Sequence, residues 1–367
     1  MFDEKSLKAL ASIEAEGPVL SVYLNVDPTE HSAEEYKLTL REMLKTVGDS
    51  VDKADKEAIK QYVDLEYDWS GRGLAVFSRQ AEDIWHTFSL AVPVRSGATV
   101  ARRPYISPLV EVNGLYGRYA VALVDRQGGR FFFFEMGELS DQKDMTGQDV
   151  HRTRKGRGSS VVGMRGGAPT SGRKEAELVQ RNLKDIASAL ASFCQTHRPR
   201  HLLLAGADPT VAQFKEQLPG PLVQILGGSF NADMDANEVE IRERSFEHLE
   251  KLMNERHAQL VNTVVTAAAK GQNGVVGLDE TMSVAYEGRI QVLVVERDYH
   301  EPGYRCTGCG YLTTQKMDEC VFCGNAFTEI SDAVEAVVSQ VVEQGGDTEV
   351  VDDDMMGDTH IGALLRY

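Results

Sequence analysis

The sequence predicts a multidomain α/β protein, and three observations predict it. The chain has 367 residues, more than twice the ~150 residues of an ordinary domain. Short apolar strand-like runs alternate with amphipathic helical stretches along its length, the pattern of layered α/β folds. Breaks near Arg118 and at Gly227-Gly228-Ser229 divide it into stretches 1–116, 117–229 and 230–367. Hydrophobic residues make up 42% and charged residues 26%, which argues against wholesale disorder. No apolar run approaches the ~20 residues of a membrane span. The opening Met1-Phe2-Asp3-Glu4-Lys5 lacks the basic-then-apolar order of a signal peptide. A cytoplasmic protein without membrane contact is therefore expected.

The elements follow in order. Ser6–Glu14 has a short helical period. Pro18–Val26 alternates as a strand, with Leu20, Val22, Leu24 and Val26 on one side. Residues 33–47 read as a helix with apolar Leu38, Leu40, Met43, Leu44 and Val47; 73–78 and 84–92 read as strands, and Pro104 and Pro108 punctuate the exit. In the second stretch, Tyr119–Val124 and Arg130–Met136 form a hairpin around Asp125-Arg126-Gln127-Gly128-Gly129. Val179, Leu183, Ile186, Leu190 and Phe193 mark an amphipathic helix over 175–196, with Cys194 beside the same stripe as a core residue. Strand 201–205, helix 211–217 and strand 222–226 complete a small α/β sandwich. The third stretch carries a long helix over 235–270, a helix over 277–286 and a buried strand over 289–296. A helix over 329–344 and strands over 348–351 and 361–367 follow. Six acidic residues between Asp347 and Asp358 read as an exposed acidic loop.

Net charge is −17, which repels nucleic acid on average. One segment departs from the average. From His151 to Lys174 there are seven basic residues, no acidic ones and six glycines, so the rest of the chain carries −24. Such a segment is either a solvated loop or a localised contact with a polyanion. Glycine raises the cost of ordering, and folding onto RNA would account for both the glycines and the bases. A phosphate-binding loop is disfavoured because no G-x-x-x-x-G-K-[ST] occurs.

Four of five cysteines fall as C-x2-C-x10-C-x2-C: Cys306, Cys309, Cys320 and Cys323. In a large chain without a secretion signal, that spacing reads as metal binding. Glycine follows each pair, at Gly310 and Gly324, where it allows a positive φ while its amide faces a sulfur. Four thiolates close a tetrahedral Zn²⁺ shell and leave no position for a catalytic water. A structural zinc ribbon over 304–325 is expected. Arg305 and Lys316 are its only bases, so it offers little grip on RNA.

A hairpin, a basic Gly-Gly segment, a long helix and the strand Leu202-Leu203-Leu204-Ala205-Gly206, with Ile361-Gly362-Ala363-Leu364-Leu365-Arg366-Tyr367 as a closing strand, resemble the archaeo-eukaryotic peptide-chain release factor superfamily and its bacterial relatives. The resemblance covers most of residues 118–367. Residues 1–116 read from their own pattern as a mixed α/β N-terminal domain, and the resemblance implies an RNase-H-like middle domain (117–229). It further implies a C-terminal α/β domain (230–367) like the kink-turn-binding ribosomal proteins, with the ribbon inserted. Members that bind the ribosomal A site include release factors, the Pelota rescue factors and the hibernation factor Balon. The implied partner is thus the ribosome, through rRNA or tRNA, with a translational GTPase such as elongation factor Tu as a delivery partner and the protein acting as a monomer. His151, Arg152, Arg154, Lys155, Arg157, Arg165, Gly166, Gly167, Arg173 and Lys174 are the expected RNA contacts.

Peptide release in that superfamily rests on Gly-Gly-Gln. Here the sequence is Gly166-Gly167-Ala168, and the nearest glutamine, Gln148, precedes the basic run. Binding by occupancy, of the hibernation or rescue type, is the leading expectation. A peptidyl-tRNA ester hydrolase with a divergent loop is the alternative, and a protein-interaction module with an acidic body is a third reading. Nuclease chemistry would need clustered carboxylates around metal ions. Asp125 and Asp208, at predicted strand ends, are the one plausible pair, and turn formation gives both a structural role.

Overall fold

Strand β1 (Val19–Asn25) shows how the sequence pattern becomes structure. The computed structural model describes residues 2–30, 32–68, 71–148 and 170–367, with 170–174 in backbone only. Helix α1 (Glu4–Ala11), N-capped by Asp3, precedes β1. Helices α2 (Ala33–Thr46) and α3 (Lys53–Gln61) follow. Leu20, Val22 and Leu24 of β1 face the core formed with Tyr36, Leu40, Leu44 and Ile59. Leu38, expected on that face, is 55% exposed, because at 100° per residue it points away from the stripe through 36, 40 and 44. A capping box, Ser32 with Glu35, starts α2. Strands β2 (Gly73–Arg79), β3 (Ile84–Leu90) and β4 (Gly97–Ala101) complete an antiparallel sheet of order β3-β2-β1-β4. The other face of β1 is buried too: Tyr23 Oη donates to the Tyr105 carbonyl, and the Tyr105 amide donates to Ser21 Oγ. Helix α4 (Ser107–Tyr116) carries Pro108 in its first turn, the helical position that tolerates proline.

Next come β5 (Arg118–Val124), β6 (Gly128–Glu135) and β7 (Glu138–Thr146). Helix α5 (Thr170–His197), β8 (His201–Ala205), α6 (Asp208–Lys215), α7 (Gly220–Gln224) and β9 (Leu226–Phe230) follow. The sheet has order β7-β6-β5-β8-β9, antiparallel on the β6 side and parallel from β5 to β9. Phe131 and Phe133 of β6, Leu202 and Leu204 of β8, and Val179, Leu183, Ile186 and Leu190 of α5 share one core with Cys194. Two expectations need correction. Residues 222–226 are not a strand: Pro219-Gly220-Pro221 starts a helical turn, Leu222 is buried while Val223 is 51% exposed, and the strand lies over 226–230. Gly227-Gly228-Ser229 is thus inside a strand rather than at a boundary. The expected basic loop also ends early, since Thr170 to Lys174 open α5.

Helix α8 (Glu238–Ala269) spans 32 residues, or about 48 Å at 1.5 Å per residue. After it come β10 (Gly274–Val276), α9 (Leu278–Tyr286), β11 (Ile290–Glu296), β12 (Gly303–Cys306), β13 (Leu312–Thr313), β14 (Phe327–Ile330), α10 (Ala333–Glu343), β15 (Asp347–Val351) and β16 (Ile361–Leu365). The main sheet here has order β10-β16-β11-β15, with β11 and β15 parallel. Three short strands, β13-β12-β14, form the ribbon. Helix α10 starts at Ala333 rather than 329, because Asp332 caps it and 327–330 pairs with β12. Contacts gather residues 1–115 with 253–367 into one unit and 116–252 into a second.

Candidate metal centre and the root of the basic segment

The metal centre begins at the end of β12. Cys306 closes that strand, and the chain turns back at Gly310, whose amide donates to the Cys306 carbonyl at 3.1 Å. The second turn repeats the device, with the Gly324 amide donating to the Cys320 carbonyl at 2.8 Å. Gly310 and Gly324 have φ of +75° and +74°, the left-handed region expected of them. Their amides bond carbonyls, however, and not sulfurs. The residues after them do that work: the Tyr311 amide faces Cys309 and the Asn325 amide faces Cys323. Gly308 N–H and Asn325 Nδ2 add bonds of 3.4 Å each to Cys306 and Cys323 sulfurs.

All four sulfurs lie within 4.8 Å of one another. Cys306 and Cys323 are 3.3 Å apart, and Cys309 and Cys320 are 3.6 Å apart. Thiolates each ~2.3 Å from one tetrahedral ion would lie roughly 3.8 Å apart, so the set fits a single Zn²⁺. Charge argues the same way. The Asn325 amide lowers Cys323 to about 6, and the Tyr286 hydroxyl bonded to Cys309 lowers that thiol, whereas burial pushes Cys320 up to about 11. Four crowded sulfurs cannot all ionise without a countercharge, which a divalent cation supplies. Around the turns, Tyr286, Tyr311 and Phe322 pack ring to ring with centroids 4.8–5.3 Å apart. Arg305 pairs with Glu14, and Arg103 ties Glu14 to Glu343 at 3.0 and 2.6 Å. One of the ribbon's two bases is therefore engaged by the protein itself.

The basic segment leaves from the end of β7. His151, Arg152, Arg154, Lys155, Arg157, Arg165, Gly166 and Gly167 lie outside the described residues, as do the side chains of Arg173 and Lys174. Gln148 is described and exposed, and its main chain is held to Asn182 of α5. Sequence reasoning did not single out Asn182; an asparagine between Val179 and Leu183 on the apolar stripe of a helix was the available signal. Asp125 Oδ1 accepts from the amides of Gln127 and Gly128 at 2.7 and 2.6 Å, and Asp208 opens α6. Among the described residues, only the four cysteines group as a metal site. Cys194 is buried, and burial pushes its thiol up to about 11, which suits a core residue.

A polar cluster that the sequence did not announce joins α4 to α10. Glu335 is buried and accepts from the Ile106 amide at 2.6 Å and from Ser107 Oγ at 2.5 Å. Burial pushes its carboxyl up to about 8. Beside it, His300 pairs with Asp332 at 2.6 Å, and that bond raises the imidazole. Asp332-Ala333-Val334-Glu335 has the spacing of a helix-start box, yet the Glu335 carboxylate turns away to cap α4. The cavity beside the cluster measures about 10 Å³, room for roughly one water. Ser107 thus bonds Glu335, and His300 pairs with Asp332, in one cluster of side chains.

Residues 104–263 match the sequence model of bacterial archaeo-eukaryotic release factor family 10. No curated protein matches the chain. Among solved structures, the chain is similar to the archaeal translation termination factor aRF1, at 14% identity over 100% of this chain and 99% of that one, with a TM-score of 0.27. It is similar to S. cerevisiae Dom34, a translation termination-like factor interacting with Hbs1, at 10% identity over 100% and 93% of the two chains, with a TM-score of 0.39. It is also similar to archaeal Pelota, described ribosome-bound with ABCE1, at 11% identity over 99% and 94%, with a TM-score of 0.38.

Proposed function

We propose, from the relation of this chain to the archaeo-eukaryotic release factor superfamily, that the protein is a ribosome-associated factor that occupies the A site without hydrolysing peptidyl-tRNA. The observation that carries the reading is Gly166-Gly167-Ala168 inside the matched stretch 104–263. The glycine pair permits close backbone approach, but alanine offers no polar group to position water. Arg152, Arg154, Lys155, Arg157, Arg165, Arg173 and Lys174 contact rRNA or tRNA phosphates, with His151 beside them. Gln148 does not replace the missing glutamine, because its main chain is fixed at the root of the segment.

Zn²⁺ on Cys306, Cys309, Cys320 and Cys323 supplies structure only, since protein fills all four positions. The protein acts in the cytoplasm as a monomer, with a translational GTPase such as elongation factor Tu as a delivery partner. No helix among the described residues is long and apolar enough to cross a membrane. The deciding experiment combines co-sedimentation with ribosomes from growing and starved cells and a peptidyl-tRNA release assay. Binding without release is expected. Rapid ester hydrolysis by the wild-type protein would replace occupancy with the hydrolase reading, and failure to co-sediment would remove both.

A further inference from the structure

Asn182 occupies a position where helix α5 would ordinarily bury an apolar side chain. It is 1% exposed, on the same face as Val179, Leu183 and Ile186. Its side chain makes three hydrogen bonds, all to main chain outside its own helix. Nδ2 donates to the carbonyls of Arg126 at 3.0 Å and Gln148 at 2.9 Å, and Oδ1 accepts from the Gln148 amide at 3.1 Å. Both amide hydrogens are used, and the acceptor is satisfied.

Packing closes the same spot from the other side. A Cβ on Gly147 would lie 2.8 Å from the Gln127 carbonyl and 2.9 Å from Asn182 Cγ and Oδ1. The Gly147 amide donates to that Gln127 carbonyl at 2.5 Å. The turn after β5 and the exit from β7 are thus fastened to one side chain and to each other. A leucine here would leave the Gln148 amide and the Arg126 and Gln148 carbonyls without this partner. What the asparagine adds is a fixed direction for the chain at Gln148, three residues before His151.

We infer that Asn182 is a positioning residue for RNA binding. It fixes the exit from which the segment 151–174 departs, so that losing it lowers ribosome affinity without removing a charge. This rests on the reading of the basic segment as the RNA contact. Two different signatures separate position from charge. Phosphate contacts set how steeply affinity falls with salt. Fixing the exit beforehand sets how much main-chain freedom is lost on binding, which shifts affinity equally at every salt concentration.

The test measures affinity for purified ribosomes across a salt series for the wild type, Asn182→Ala, Gly147→Ala and the triple reversal R154E/K155E/R157E. Asn182→Ala and Gly147→Ala should each lower affinity about tenfold, the order set by freezing one residue's backbone on binding rather than before it. The slope of log affinity on log salt should stay that of the wild type, whereas the triple reversal should abolish binding. Gly147→Ala disturbs the clamp from the loop side with α5 intact, so it decides the matter if Asn182→Ala fails to fold. Wild-type affinity in a folded clamp variant overturns the inference. So does a loss with a flatter slope, which would mean lost phosphate contacts. If the triple reversal binds like the wild type, the RNA-contact reading itself fails and the positioning role falls with it. If only the clamp variants bind normally, the reading stands and the positioning role alone is lost.

Discussion

At the scale of single residues, Glu335 and Tyr286 each place a polar group where its partner is distant in sequence. Burial pushes the Glu335 carboxyl up to about 8, against the Ser107 and Ile106 hydrogen bonds and His300, while Asp332 adds to the rise. A carboxyl raised in the folded state contributes stability that is complete below the unfolded value, near 4.5, and lost as pH rises toward 8. The raised His300 works in the same sense, its contribution fading as pH rises through its folded value. Glu335→Gln should therefore be more stable than the wild type at pH 8, by at most roughly 4 kcal/mol. The advantage should shrink toward zero at pH 4.5, read by thermal unfolding across pH. A variant less stable than the wild type at pH 8 would show that the ionised carboxylate is the form the fold needs. Tyr286 donates to Cys309 from α9. Removing an outer partner of a metal ligand commonly weakens the metal about 10- to 100-fold, so Tyr286→Phe should release zinc to a chelator at a lower competitor concentration. Neither role could be read from sequence: Glu335 and Ser107 are 228 positions apart, and only the completed fold makes them neighbours. The cysteines were legible because each pair is local and its spacing alone sets the geometry.

At the scale of elements, the ribbon is where a bound metal, as proposed, would matter most to structure. Its strands run four, two and four residues, too short to hold together by pairing and burial alone. Metal removal, or Cys306→Ser, should open residues 303–330 to hydrogen exchange while leaving 116–252 protected. Metal analysis should find one zinc per chain in the wild type. Full zinc content and unchanged exchange in the serine variant would count against the assignment. Two elements that sequence reasoning got wrong have different causes. Strand β7 reads Glu-Leu-Ser-Asp-Gln-Lys-Asp-Met-Thr and is mostly exposed; an edge strand facing water has no apolar alternation to detect. The strand expected at 222–226 carried apolar residues, but proline at its start set a helical turn instead. The long helices were plain because a buried stripe at helical spacing repeats over many turns.

At the scale of the whole molecule, charge and function must be reconciled. A chain of net −17 with its one basic run at 151–174 would meet a polyanion, as proposed, through that run. If about four of the seven cations there meet phosphates, log affinity should fall with log salt at a slope of roughly −3, using ~0.7 per phosphate. A slope near zero would remove phosphate contact from the mechanism. The order of strands in the C-terminal sheet has a further consequence, for the timing of folding during synthesis. Strand β16 lies between β10 and β11, yet it is made last of the three. At ~5–20 residues per second, β10 waits about 4 to 17 s for its partner. During that interval Val292, Val294 and their neighbours present an incomplete apolar edge, later closed by Ile361–Leu365. Chains that stop before residue 361 should therefore aggregate or be degraded, whereas substitutions at the exposed Tyr367 should be harmless. If it acts on ribosomes as proposed, the protein is also, while being made, vulnerable to an interrupted ribosome of its own.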